Sequence, residues 1–177
     1  SSQSCYRDWL ATCLCDPRHP LSLDASTPLY KWRFVAADAE EAPTDDGAQI
    51  AQIAKLFGRV PLFGICLGHQ LMALARGGRT GKLKYGHRGA NQPVRDVCGT
   101  RTFLTSQNHG YAVMPEGIQG GVLRFVNAND GTCEGVDYPD LQAFSVQFHP
   151  EACAGPHDTA FLFDRFCDLM GGAHHAD

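Results

Sequence analysis

The chain has 177 residues, a formal net charge of −4 and 44% hydrophobic residues, a composition that fits a soluble globular protein with one sizeable core. No apolar run approaches the roughly 20 residues that a helix needs to cross a bilayer, and the first residues lack the basic-then-apolar order of a signal peptide. The acidic balance, without a basic stripe, argues against nucleic acid as a partner and against a membrane-bound protein. Small molecules or other proteins are the expected partners.

Eight cysteines are present, and their spacings match no disulfide framework. A core of this size needs no disulfides, so we expect reduced thiols and a cytoplasmic protein. Cys13-Leu14-Cys15 lacks the two-residue spacing of a CxxC pair, and we predict no metal site.

The first third of the chain predicts a strand followed by a helix. The strand covers residues 30–35, whereas residues 1–29 show no convincing parallel strand and stay unassigned. The helix ends at Gly58, and its apolar positions recur at helical spacing: Ile50, Ile53, Ala54 and Phe57. With the apolar run that begins at Val60, these elements predict a βαβ unit with parallel strands.

A strand-like run over 60–65 leads directly into Cys66, and an apolar periodic stretch follows. Gly64 and Gly68 bracket the cysteine at minus two and plus two, where a sharp strand-to-helix turn brings backbones too close for side chains. Such a turn exposes the sulfur at a helix N-terminus, whose partial positive charge favours the reactive thiolate. The pattern predicts a nucleophile elbow, although a cysteine without this bracket is usually a small core residue.

A second apolar strand, over 144–148, ends in His149-Pro150-Glu151. Pro150 biases His149 toward an extended conformation, so that the side chains of His149 and Glu151 project to one side. Glu151 then fixes the imidazole tautomer, while His149 takes the proton of Cys66 and later protonates a leaving amine. The alternative is a strand that ends in a proline turn with two solvated polar residues.

The two motifs, Gly-Ile-Cys-Leu-Gly-His-Gln at 64–70 and Gln-Phe-His-Pro-Glu at 147–151, together resemble those of the class I, or triad, glutamine amidotransferases. The stretches 84–93 and 105–113 are similar to the small chains of carbamoyl-phosphate synthetases, more than to anthranilate or GMP synthetases. The resemblance runs from about Val60 to about Met170, which is roughly two thirds of the chain.

This resemblance implies a reaction and a set of site residues. Cys66 is expected to attack the side-chain amide of L-glutamine and to form a γ-glutamyl thioester, with His149 and Glu151 completing the triad. The backbone N–H of Leu67 is expected to be one oxyanion donor, and Gln70 to bind the substrate. A loop is expected to hold the amino-acid end of glutamine through Asn108, Gly110 and Tyr111, residues that by themselves are typical of a turn.

The resemblance also implies a partner and a fold. Ammonia is expected to pass to a carbamoyl-phosphate synthetase large chain, which uses ATP and bicarbonate for pyrimidine and arginine synthesis, so this chain needs no metal or organic cofactor. The implied fold is a flavodoxin-like α/β class I glutamine amidotransferase domain, with a mostly parallel sheet, helices on both faces and an incomplete N-terminus. We place this domain at residues 30–172 and a tail at 173–177. Beyond Gly78 we predict short strands and then a helix from near His157; the strands cover residues 93–97, 101–105, 122–128 and 141–148.

One part of the family pattern is missing. The family carries an Asn-Gly-Pro-Gly-Asp-Pro loop that supplies a second oxyanion donor, whereas this chain reads Ala-Ala-Asp-Ala-Glu-Glu-Ala-Pro over 36–43. Loss of one donor commonly costs about 3 kcal/mol of transition-state stabilisation. A catalytically silent binding module therefore stays an alternative, as does a γ-glutamyl hydrolase on the same fold. We expect residues 1–40 to be those of a fragment or of a misread or truncated reading frame.

Overall fold

The computed structural model describes residues 47–152 and 159–171. The described residues form three α-helices: α1 (Gly47–Leu56), α2 (Leu67–Ala75) and α3 (Phe161–Leu169). They also form six strands: β1 (Leu62–Ile65), β2 (Arg79–Asp96), β3 (Thr102–Met114), β4 (Val122–Asn127), β5 (Cys133–Tyr138) and β6 (Ala143–Val146). None of these helices is long and apolar enough to cross a membrane.

The helix predicted before Gly58 is confirmed as α1, and the last helix is observed as α3. Gly58 has a φ of 74° at the end of α1, a conformation that glycine adopts without steric cost. The strand predicted over 30–35, its βαβ unit and the start of a helix near His157 lie outside the described residues.

The six strands form one sheet in the order β1-β6-β5-β3-β2-β4, and β4 also pairs with β5. Strands β2, β3, β5 and β4 therefore close into a four-stranded ring. Only the β1–β6 pair is parallel among the described strands; the other five pairings are antiparallel. The prediction of a mostly parallel sheet is wrong for the described residues, because β2 to β6 are joined by short turns and parallel neighbours need long crossovers.

The strands β2 and β3 are much longer than the short strands predicted for this region. They pair from Arg79 opposite Met114 to Arg95 opposite Thr102, with two register shifts, at 82–87 and 89–92. The shifts contain Gly86 and Gly89, whose φ angles of 69° and 107° lie in the region that favours glycine. These glycines let one hairpin keep pairing through irregular segments, where the sequence pattern indicated a break.

The core lies on both faces of the sheet, as predicted for helices on both sides. One cluster includes Met72 and Ala73 of α2, and Ile53 of α1 packs against it together with Phe57, which directly follows that helix. The other cluster includes Leu162 of α3 and the aromatic residues Phe103, Phe125, Phe144 and Phe148. Successive residues of β1 contribute to opposite clusters, because strand side chains alternate between faces.

Gly64 lies where β1 passes the first turn of α2. A Cβ atom at Gly64 would lie 2.5 Å from Met72 Sδ and 2.9 Å from the backbone of Gly68, whereas a Cβ at Gly68 meets no heavy atom within 4 Å. The prediction that close approach requires glycine is therefore confirmed at Gly64 and wrong at Gly68. The first turn of α2 directs the missing Gly68 side chain into open space.

We expect Gly64→Ala to lower the free energy of unfolding by about 1–3 kcal/mol, because the backbone of Gly68 cannot move aside as a flexible side chain can. The matched control is Gly68→Ala, which should lose less than about 0.5 kcal/mol or gain stability, since alanine favours a helix interior. Urea denaturation followed by circular dichroism measures both. Equal stability of the two variants would contradict the close packing of the β1–α2 turn.

Candidate active site

The two sequence motifs meet because β1 and β6 are parallel neighbours. Their register pairs Leu62 with Ala143 and Ile65 with Val146. The pairing continues past the end of β1, since the Cys66 N–H donates a hydrogen bond of 2.9 Å to the Val146 carbonyl. The carboxyl ends of parallel strands lie at one edge of a sheet, which is where α/β proteins build their sites. The residues that follow each strand, Cys66 and 147–151, therefore meet there.

Cys66 occupies a strained backbone conformation. Its φ of 53° and ψ of −105° lie outside the helical and extended regions, and α2 begins at the next residue. A non-glycine residue at positive φ in a strand-to-helix turn is the geometry of a nucleophile elbow. The Cys66 side chain makes no capping hydrogen bond at the N-terminus of α2, and 2% of the residue is exposed. The strand-to-helix turn predicted at Cys66 is confirmed, whereas the prediction that this turn exposes the sulfur is wrong, because the neighbouring elements cover the residue.

His149 contacts both of its expected partners. Its Nδ1–H donates to Glu151 Oε1 at 2.7 Å, and its ring lies near enough to the Cys66 side chain for the two to interact electrostatically. Burial lowers the pKa of His149, but the interactions with Cys66 and Glu151 outweigh burial and raise the pKa from 6.5 to about 10. The ring therefore keeps its proton near neutral pH. The structure therefore brings together the three residues predicted to form the triad, and their catalytic roles stay a prediction.

Two buried glutamines connect this triad to β3. Gln70, on the first turns of α2, donates through Nε2 to Gln147 Oε1 at 3.0 Å and to the Tyr111 carbonyl at 3.0 Å. Gln147 in turn donates through Nε2 to Cys66 Sγ at 3.6 Å. Gln70 Oε1 is buried and has no hydrogen-bond partner among the described residues. A buried acceptor without a donor beside the nucleophile is suited to bind an N–H group of a ligand.

Asn108, Gly110 and Tyr111 lie within β3, so the prediction that they form a loop is wrong. They take strand geometry because β2 pairs with this segment and supplies the backbone hydrogen bonds that a loop would lack. Even-numbered residues from 102 to 110 share one partly or fully exposed face of β3. The Ser106 carbonyl, on this part of the strand, accepts a hydrogen bond of 2.9 Å from the His149 N–H. Asn108 and Gly110 therefore lie two and four residues beyond Ser106 on the same strand. The Tyr111 carbonyl accepts a hydrogen bond from Gln70.

Sequence reasoning assigned no role to His69 and Gln147. His69 is fully buried, its Nδ1 lies 2.8 Å from Ser145 Oγ, and burial followed by the charge of His109 lowers its pKa to about 3. A neutral imidazole thus packs under the elbow. Ser145 and Gln147 interrupt a run of apolar residues in the sequence. A polar residue inside a buried strand must find a hydrogen-bond partner, so this interruption is the sequence signal for a buried polar network.

Leu67 follows the nucleophile as the first residue of α2, the position whose N–H faces the carbonyl oxygen under attack in a nucleophile elbow. The segment 36–43, in which a second donor was sought, lies outside the described residues. The role of Leu67 in an oxyanion hole stays a prediction.

We expect Glu151→Gln to lower the pKa of His149, because a neutral amide no longer stabilises the positive ring. In the native chain the pKa of His149 in the folded state is about 10, above the reference value of 6.5. The protonated ring therefore stabilises the folded state fully below about pH 6.5, and this stabilisation is lost as the pH rises through about 10. NMR titration of the ring protons measures the shift. Asp137→Asn, which removes the 2.9 Å ion pair with Arg165, is the matched control and should leave His149 unchanged. An unaltered His149 pKa in Glu151→Gln contradicts the pair.

Comparison with known proteins agrees with this geometry. The sequence model of the class-I glutamine amidotransferase family matches residues 41–169. The carbamoyl phosphate synthase small chain of Clostridium perfringens is 52% identical over 126 residues, which are 70% of this chain and 35% of that protein. The carbamoyl phosphate synthase small chain of Oceanobacillus iheyensis is 52% identical over 154 residues, which are 86% of this chain and 42% of that protein. The chain thus spans well under half of these relatives.

Among solved structures, a glutamine amidotransferase from Thermotoga maritima has a TM-score of 0.52 at 20% identity, covering 71% of this chain and 53% of that one. This likeness supports the predicted α/β fold. Because the family model covers most of the chain and the small-chain relatives are identical at about half of the matched residues, the chain belongs to the class-I glutamine amidotransferase family.

Proposed function

We propose that this chain is the glutaminase domain of a carbamoyl-phosphate synthase small chain and releases ammonia from L-glutamine. The observation that carries the proposal is the convergence of Cys66, His149 and Glu151 at the shared end of β1 and β6, with His149 hydrogen-bonded to Glu151. The relatives named carbamoyl phosphate synthase small chain support glutamine as the substrate and favour an amidotransferase over a γ-glutamyl hydrolase.

In the first half-reaction, the Cys66 thiolate attacks the side-chain carbonyl carbon of glutamine, and the carbonyl oxygen becomes an oxyanion. The Leu67 N–H stabilises this oxyanion at the N-terminus of α2. The His149 imidazolium then gives its proton to the leaving nitrogen, the C–N bond breaks, and ammonia and a γ-glutamyl thioester on Cys66 result.

In the second half-reaction, neutral His149 takes a proton from water, and the resulting hydroxide attacks the thioester carbon. The C–S bond breaks, glutamate leaves, and the thiolate and imidazolium return. Glu151 remains a carboxylate throughout and holds the ring by its Nδ1–H. Gln70 and the β3 positions Asn108, Gly110 and Tyr111 bind the substrate in this proposal, with Gln70 Oε1 accepting one of its N–H groups.

We propose a synthetase large chain as the partner, where ATP and bicarbonate are used to make carbamoyl phosphate for pyrimidine and arginine synthesis. The glutaminase steps require no metal or organic cofactor, and neither nucleic acid nor a membrane takes part. A cytoplasmic location is supported by the cysteines that the structure describes, which are free thiols: Cys66, Cys98, Cys133 and Cys167.

A second candidate function is a silent module that docks on the synthetase without hydrolysing glutamine. The absence of an Asn-Gly-Pro-Gly-Asp-Pro sequence over 36–43 favours it, because one oxyanion donor is then missing. The complete triad favours an enzyme.

We expect a diazo-ketone analogue of glutamine to label Cys66 before any other cysteine, although Cys98 is exposed and Cys66 is 2% exposed. The glutamine part of the reagent binds at the site, and the imidazolium of His149 keeps the thiolate reactive. Peptide mapping by mass spectrometry locates the label. Cys98→Ser is the control and should label as the native chain does, whereas labelling of Cys98 at the rate of Cys66 rejects the proposed nucleophile.

Grafting Asn-Gly-Pro-Gly-Asp onto positions 37–41 should raise kcat for glutamine hydrolysis by on the order of a hundredfold and change KM little, because an oxyanion donor acts when charge develops. The control graft, Ala-Ala-Ala-Ala-Ala at 37–41, removes the acidic side chains without adding glycine. Ammonia release in a coupled assay measures the effect. A folded graft at background activity would place the defect elsewhere than in this loop.

A further inference from the structure

A second cluster of buried polar side chains lies on the ring of β2, β3, β5 and β4. His87 of β2, His109 of β3 and Glu134 of β5 are 8%, 0% and 0% exposed. One nitrogen or oxygen from each lies within 4.8 Å of the others. The histidines are cross-strand partners, and their rings are perpendicular with centroids 4.9 Å apart. Three different strands therefore direct nitrogen and oxygen atoms to one point inside the ring.

Each histidine ring has one nitrogen that faces away from the cluster and contacts an oxygen there. His87 Nε2 lies 2.8 Å from Asp130 Oδ2, and His109 Nδ1 lies 2.7 Å from the Tyr111 carbonyl. A carboxylate or a backbone carbonyl on the far nitrogen is the arrangement that orients histidines that bind metal ions. The nitrogens that remain are Nδ1 of His87 and Nε2 of His109.

The remaining atoms of this cluster include more acceptors than donors. His109 Nε2 faces Gln107 Oε1 at 2.8 Å, although a neutral imidazole that already donates through Nδ1 has no second N–H. Rotating the Gln107 amide by 180° would place its oxygen next to Thr105 Oγ1. That hydroxyl already donates its proton to the Gln92 carbonyl, so two acceptors would then face each other. Glu134 Oε2 is also buried without a hydrogen-bond partner among the described residues. A cation between these atoms satisfies all of them.

We propose that His87, His109 and Glu134 bind a divalent transition-metal ion of the zinc class. Two imidazoles and one carboxylate are a ligand set that zinc uses, and zinc–nitrogen distances near 2.0 Å place tetrahedral ligands about 3.3 Å apart. His87 Nδ1 and Glu134 Oε1 are already 3.0 Å apart, so closure of the 4.8 Å spread takes movements of about 1 Å. Gln107 Oε1 or a water completes the coordination.

Access to the cluster is available from one side. A cavity of about 280 Å³ is lined by His87, Asn127 and Asp130, and the Asp130 side chain is 48% exposed. The alternative to a metal ion is a second proton on His87. The protonated ring would then form two ion pairs, one with Glu134 and one with Asp130. Metal binding releases that proton from Nδ1 to solvent, so the ion and the proton compete for one position. The site is structural and does not depend on the glutaminase proposal.

The test uses the full chain after dialysis against a chelator, titrated with Zn²⁺ in a calorimeter and with Co²⁺ in an absorption spectrometer. We expect one strong site and tetrahedral Co²⁺ bands without a sulfur-to-cobalt charge-transfer band, because the ligands are nitrogen and oxygen. Asp130→Asn should weaken the affinity about 10–100-fold, and Glu134→Gln and His109→Gln should weaken it more.

Two controls separate this cluster from the thiols of the chain. Cys66→Ser and the double variant Cys13→Ser with Cys15→Ser should bind Zn²⁺ as the native chain does. A sulfur-to-cobalt band, loss of binding in either control, unchanged affinity in Glu134→Gln, or no strong site in the native chain each overturns the proposal and leaves the proton as the occupant. If Glu134→Gln does not fold, Asp130→Asn and the Co²⁺ spectrum of the native chain decide the question.

Discussion

The parallel register of β1 and β6 determines where both catalytic motifs lie. Ile65 pairs with Val146, and the Cys66 N–H extends the ladder by one bond, so the backbone of Cys66 is held to β6. Because strand side chains alternate between faces, a slip of one residue would turn Val146 toward the opposite core cluster and move Ser145 away from His69. The hydrophobic faces of β6 therefore fix the geometry of the active site.

The surroundings of the nucleophile are buried and polar. His69, Gln70 and Gln147 are each 0% exposed, and hydrogen bonds connect all three to neighbouring elements. An unpaired polar group at such positions costs about 1–3 kcal/mol, so this network is stable only when its members stay in register with one another. The side chains beside Cys66 are consequently oriented before any substrate binds, which lowers the reorganisation that the reaction requires.

Features that depend on residues close together in the sequence could be predicted, whereas features that depend on long-range strand pairing could not. The elbow at Cys66 and the pair His149 and Glu151 are local patterns, and the glycine bracket and the proline turn identify them without knowledge of the fold. The ring of β2 to β5 depends on long-range pairing and on bulges at Gly86 and Gly89, which interrupt the period-two pattern that identifies a strand. Asn108 therefore looks like a turn residue in the sequence, yet its cross-strand partner, Arg88, places it within a strand.

The positive φ of Cys66 also has a consequence for which residue is favoured at this position during evolution. A φ of 53° costs a side chain with a Cβ about 1–3 kcal/mol, and a glycine at this position would recover part of that free energy. A domain that only docks on a partner would gain stability by such a replacement and lose nothing. This chain has a cysteine at the strained position, which fits the proposed hydrolysis of glutamine better than a role in docking alone.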